Sequence, residues 1–200
     1  MKKIAIAITG ASGTIYAERL LQRLVALHTQ GTIAVPAVIF TARGREVAQY
    51  ERPEFVEWLS AQVTAGTVIE YQDNDLFTPP ASGSAGYDVL AVVPCSMGMV
   101  GRLAVGTSPD LVARAADVML KENSPHAPRT LILCPRETPL SLIHLRNLTA
   151  LREAGAVILP AMPSFYTHPA SLEEAVDTVI LRILALMGLR AADFRGWQEE

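Results

Sequence analysis

Several features common in other protein classes are scarce in this 200-residue chain. It has only two cysteines, Cys95 and Cys134, with no CxxC spacing and no partner pattern. A disulfide framework is therefore not expected, and reduced thiols suit a cytoplasmic protein. No apolar run is long enough to cross a bilayer. Met1-Lys2-Lys3 leads into a short strand, without the longer apolar stretch of a secretory signal. Basic residues are not in excess: the net charge is −3 and the pI near 5.8, so the basic stripe of a nucleic-acid binder is missing. No histidine pair has metal-ligand spacing, with His28 reading as a surface residue and His144 as a helix residue, so no metal is expected. Repeats, linkers and low-complexity tracts are also absent, which implies one domain over residues 1–200. Apolar residues, in contrast, are abundant. Half the chain is hydrophobic and the mean hydropathy is +0.26, a surplus that points to deeply buried strands and to subunit interfaces.

The order of patterns predicts a parallel sheet. Lys3–Ile8 is a continuous apolar run, as in a strand buried on both faces. A turn and a helical pattern with Ile15, Leu20, Leu21, Leu24 and Leu27 follow. Further strands are expected at 33–40, 67–70, 87–93, 130–134 and 156–159. Helices are expected at 43–51, 53–63, 109–121, 140–153 and 172–186, with a polar loop over 71–84. Such alternation means a three-layer α/β sandwich, Rossmann-like or flavodoxin-like, with helices on both faces of a parallel sheet. Ligands then bind beyond the carboxyl ends of the strands. The short motifs collect at that level: TGASG after the first strand, Thr41 after the second, PCSM and PRET after two later ones.

Thr9-Gly10-Ala11-Ser12-Gly13 offers backbone N–H groups at a helix N-terminus, a ready phosphate site. It lacks the spacing and lysine of a P-loop, and Tyr16 stands where a full GxGxxG wants a small residue. The alternative is a tight turn without a ligand. Pro79–Ser84 is either a solvent loop or a hydroxyl-rich nest for phosphate oxygens. Pro94-Cys95-Ser96-Met97-Gly98 supplies donors at a strand end, with Cys95 read as a buried structural thiol. Arg114 and Lys121 share a helix face, as a solvated pair or as an anion clamp. Arg136-Glu137 sits between two prolines, as a surface ion pair or as a group for cofactor binding and proton transfer. Phe165-Tyr166 and Arg182 add an aromatic, a phenol and a fixed cation.

These segments together resemble one family. GASGTIYAERLL, PASGS, YDVLAVVPCSMG, LVARAADVMLKE, PRETPLSLIHLRNL, GAVILPAMPSFY and VDTVILRILALMG are similar, in order and over nearly the whole chain, to the UbiX-type flavin prenyltransferases. The resemblance implies transfer of a dimethylallyl group from dimethylallyl phosphate to N5 and C6 of reduced FMN. It implies a homo-oligomer, a dodecamer by family precedent, and delivery of prenylated FMN to a UbiD-type decarboxylase. By position, Gly10, Ala11, Ser12, Thr41, Ser96, Met97, Gly98, Met99 and Arg136 would bind FMN. Ser82, Gly83, Arg114, Lys121, Tyr166 and Arg182 would hold dimethylallyl phosphate, partly across a subunit boundary. Ser12, Glu137 and Glu51 would be catalytic, the first two relaying protons. An FMN-dependent decarboxylase and a non-catalytic FMN carrier are the alternatives. The family often has a tryptophan beside PASGS, where this chain has Leu76 and Phe77.

Overall fold

A computed structural model describes residues 1–189. Six parallel strands form one sheet: β1 (Ile4–Ile8), β2 (Ala37–Phe40), β3 (Ile69–Gln72), β4 (Val89–Cys95), β5 (Thr130–Pro135) and β6 (Val157–Ile158). The order across the sheet is β3-β2-β1-β4-β5-β6. Chain direction across the sheet therefore reverses between β1 and β4, the switch point at which open α/β sheets leave a crevice. Each strand except β3 is followed by at least one of the helices α1 (Thr14–Thr29), α2 (Ala42–Glu51), α3 (Pro53–Thr64), α4 (Met97–Ala104), α5 (Leu111–Lys121), α6 (Leu142–Glu153) and α7 (Leu172–Leu186). The crossover after β3 is made by a loop with two single-turn 3-10 helices, Pro79–Ala81 and Gly83–Ala85.

Period-two alternation assigns the two faces of the sheet. In β1, Ile4, Ile6 and Ile8 join the core under α1 and α7, while Ala5 and Ala7 face the core under α5. The small alanines leave room there for Val112, Ala113, Ala115 and Ala116 of α5 to approach the sheet. In β5, Ile132 and Cys134 face the α1 side, and Leu131 and Leu133 the α5 side.

The structure differs from the sequence reading in several places. β2 begins at Ala37, because Pro36 interrupts the run and Ile33 makes only an isolated bridge to Lys2. β3 lies two residues later than expected. β4 runs on through Pro94 and Cys95, and Ser96 then caps a helix that was not expected, α4.

Candidate functional site

A cleft of about 450 Å³ opens at the carboxyl ends of β1, β2 and β4, at the switch point. It is lined by Thr9, Gly10, Thr41, Ser96, Gly98 and Met99, and by Arg43, Asp73, Arg102 and Asp110. Thr9 joins its two walls. Its hydroxyl donates to the Pro94 carbonyl at 2.8 Å and accepts from the Ser96 N–H at 2.8 Å, so the end of β1 fixes the start of α4. Ser96 in turn caps α4, accepting from the Met99 N–H at 3.3 Å. Thr41 caps α2 by accepting from the Gly44 N–H at 3.0 Å, and its own N–H donates to the Ile8 carbonyl at 3.0 Å. Met97 is buried in the core below α4 and does not line the cleft.

The TGASG turn takes a different part from the one expected. Gly13 is left-handed, at φ 113°, and gives α1 no side-chain cap. The amides of Gly13 and Thr14 donate instead to one oxygen of Glu51, each at 2.9 Å. A carboxylate of the chain itself thus occupies the helix N-terminus where a phosphate was expected. Burial pushes the Glu51 carboxyl up, but hydrogen bonds from Ser12, Thr14 and Gly13 outweigh it and hold the group below its ordinary value. Glu51 is an anion beside the turn.

The next crevice is lined by Arg136, Glu137, Thr138, Leu140, Pro160 and Met162 among others, at the end of β5. Arg136 ties this crevice to the turn: its Nε donates to the Ser12 carbonyl at 2.9 Å, and its N–H to the Cys95 carbonyl at 3.2 Å. The Glu137 carboxylate accepts from the Thr138 N–H at 3.1 Å. Arg182 faces a separate groove between β6 and α7, with Pro160 and Met162 common to both. Tyr166 is half-exposed on the loop that leads to α7.

The remaining expected substrate residues lie on the opposite face of the sheet. Arg114 of α5 donates to the Ala81 carbonyl at 3.1 Å and pairs with Asp117 at 2.7 Å. Lys121 lies 3.6 Å from Glu122, and a Cβ on Gly83 would collide with the Glu122 side chain. Ser82 and Ser84 share a hydrogen bond and line a cleft with Lys3, Val35 and Tyr87, near the amino ends of the strands. The sheet itself separates this group from Tyr166 and Arg182. Of the residues expected to bind flavin, Gly10, Thr41, Ser96, Gly98 and Met99 share one cleft and Arg136 lines the next crevice, while the two halves of the expected prenyl-phosphate set stay apart in one protomer.

The cleft at β1, β2 and β4 suits a flavin nucleotide. Side-chain hydroxyls of Thr41 and Ser96 stand at helix N-termini, and a Cβ at Gly98 would meet nothing within 4 Å, which leaves that wall open. The Flavoprotein family model matches residues 1–184. Flavin prenyltransferase UbiX of Pseudomonas aeruginosa is 39% identical over 204 residues, covering 100% of this chain and 95% of that protein. The chain belongs to the UbiX-type flavin prenyltransferases. A crystal structure of AnUbiX in complex with FMN and dimethylallyl pyrophosphate superposes with a TM-score of 0.84 at 34% identity, covering 100% of this chain and 98% of that one. A dodecameric FMN-dependent UbiX-like decarboxylase from Escherichia coli O157:H7 gives 0.86 at 34% identity, with 98% and 100% covered.

In this flavin prenyltransferase the cleft is also lined by residues that the sequence reading passed over: Thr9, Arg43, Asp73, Arg102 and Asp110. Thr9 was legible only as part of a turn. Burial, with a smaller push from Asp110, raises the Asp73 carboxyl above its usual range. Arg102 pairs with Asp110 at 3.4 Å, so the cation and one carboxylate of this wall offset each other. Asp73 and Asp110 lie 37 residues apart in sequence, and only the crossover through the 3-10 loop makes them neighbours.

Proposed function

We propose that this chain transfers a dimethylallyl group from dimethylallyl phosphate to reduced FMN, forming bonds at N5 and C6. The observation that carries this reading is the Arg136 bridge, which joins the flavin-side turn at Ser12 to the crevice holding Glu137. Reduced FMN supplies the nucleophilic ring; the chain supplies position, charge and proton transfer. Gly10, Ala11, Ser12, Thr41, Ser96, Gly98, Met99 and Arg136 bind the flavin. Ser12 and Glu137 move protons beside N5 and C6, with the Glu51 anion next to Ser12. Loss of phosphate from the prenyl donor needs cations at the leaving group, which Arg114, Lys121 and Arg182 provide. Ser82, Gly83 and Tyr166 complete the phosphate contacts.

Arg114 and Arg182 lie on opposite faces of the sheet, so the complete site takes Arg114, Lys121 and the PASGS loop from a second copy. A self-associating surface is at hand. Leu142, Ile143, Met162 and Phe165 are each at least 60% exposed near the Glu137 crevice. The dodecameric relative makes a dodecamer the expected assembly. The product passes to a UbiD-type decarboxylase, and two buried thiols suit the reducing cytoplasm.

Anaerobic incubation with reduced FMN and dimethylallyl phosphate, followed by mass spectrometry, tests the reaction. A flavin heavier by one C5 unit is the expected result. Unchanged FMN in fully reduced, folded protein would overturn it.

A further inference from the structure

We infer that Glu18 and Arg52 are positioning residues, a two-point clamp that holds the Glu51 carboxylate against the TGASG turn. The inference rests on the reading above only in giving Glu51 a part in the reaction. α1 has no cap of its own and no acidic residue in its first turn, so its positive end depends on Glu51. Glu51 is the last residue of α2, and Arg52 alone separates α2 from α3. Such a corner would leave the Glu51 side chain free to wander if nothing else held it.

Arg52 supplies the hold. Its guanidinium turns back to α1 and grips Glu18 with two hydrogen bonds, Nε to Oε2 at 2.8 Å and Nη2 to Oε1 at 3.2 Å. Glu18 lies one turn beyond Thr14, on the flank of the same helix. Consecutive residues, one acidic and one basic, therefore grip α1 at its end and one turn along. The far side of α1 is anchored independently, by Arg19 and Arg23 on Asp177 of α7. Glu54 also pairs with Arg52, at 3.1 Å, and Glu173 of α7 adds to the negative field there.

The chemistry of Glu18 argues against a role in bulk stability. It is 7% exposed, on a helix whose other buried residues include Ala17, Leu20, Leu21 and Leu24. An apolar side chain would serve that packing at least as well, because an ion pair with a buried carboxylate and a guanidinium 32% exposed gains little in stability over a hydrophobic replacement. What the ion pair adds is fixed geometry, since a bidentate guanidinium–carboxylate pair sets both distance and orientation.

The test compares Glu18→Gln, Glu18→Leu, Arg52→Gln and Arg52→Lys with the unsubstituted protein. The Glu51 carboxyl is titrated by NMR in protein labelled with carbon-13 glutamate, and FMN affinity, KM and kcat are measured alongside. In the unsubstituted protein Glu51 should titrate below an ordinary glutamate. In the Gln and Leu variants it should move up toward the ordinary value. The kcat should fall about tenfold, with FMN affinity and KM within about twofold, and Arg52→Lys should recover most of it. In a Glu51→Gln background, Glu18→Gln should cost nothing further. An unmoved Glu51 titration in folded Glu18→Leu would overturn the clamp, as would losses that simply add to those of Glu51→Gln. If the unsubstituted protein makes no prenylated FMN, the proposed reaction fails, and the titration alone still decides the clamp.

Discussion

A methyl group added at Gly44 would lie 2.1 Å from the Ile8 carbonyl oxygen and 3.0 Å from the Thr41 hydroxyl. The first turn of α2 rests directly on the end of β1, and that contact sets one wall of the flavin cleft. Gly44→Ala should therefore cost about 3 kcal/mol, since backbone must shift. The midpoint of thermal unfolding should drop by about 6–12 °C in calorimetry. At Glu137 the expected result is the reverse. The side chain is exposed and its hydrogen bond to Thr138 is local, so Glu137→Gln should fold normally and bind FMN. Turnover should nevertheless fall at least about a hundredfold if the carboxylate carries a proton. Stopped-flow rates with fluorescence-measured FMN binding separate the two effects. Cys95 was read from its motif as a buried structural thiol, and both cysteines are buried. Burial pushes the Cys134 thiol up to about 12 and Cys95 higher still, so neither should react with iodoacetamide in folded protein at pH 8.

The elements show how far local pattern carries. α1 was visible as an apolar stripe because it packs one face on the sheet, and α5 and α7 were expected as helices close to their observed ranges. α4 was not, although Ser96 precedes it as a cap and Met97, Val100 and Leu103 recur at helical spacing. Gly98 and Gly101 weaken its propensity, and Pro94 close to the end of β4 carries the signature of a loop. Ser96→Ala should cost about 1 kcal/mol of stability through the lost cap, measurable by urea unfolding. Two carboxylates link elements and titrate with folding. Burial pushes Asp177 up, but Arg19 and Arg23 outweigh it and lower its value, as the α1 amides do for Glu51. A carboxyl lowered on folding stabilises above its unfolded value and loses that contribution as pH falls through the folded one. Acid unfolding should thus steepen below about pH 4, and Asp177→Asn should flatten it.

At the scale of the molecule, alternation of strands and helices announced a parallel sheet, but the strand order could not be read from it. Order is decided by which crossovers pack, a long-range matter that local pattern does not encode. The same limit applied to the site. Every residue of the proposed prenyl-phosphate set was visible in sequence, yet only the layers show that Arg114 and Arg182 stand on opposite faces of one sheet. Complementation tests the shared site. Arg114→Ala and Arg182→Ala should each abolish turnover alone. Dissociated together and reassembled in equal amounts, they should recover about a quarter of the activity, because some sites then draw both arginines from intact donors. No recovery in mixed assemblies confirmed by native mass spectrometry would place both arginines in one chain's site.

The path of α5 gives each chain obligations in two places. Its Asp110 end lines the cleft at the switch point, while on the proposed reading Arg114, Lys121 and the loop that Arg114 holds serve a neighbour. A chain bearing both lesions, Arg114→Ala with Arg182→Ala, would therefore disable its own centre and spoil another. When such chains make up half of a co-expressed population, about a quarter of the sites would survive instead of a half. In genetic terms the allele would be partly dominant, its damage exceeding its dose.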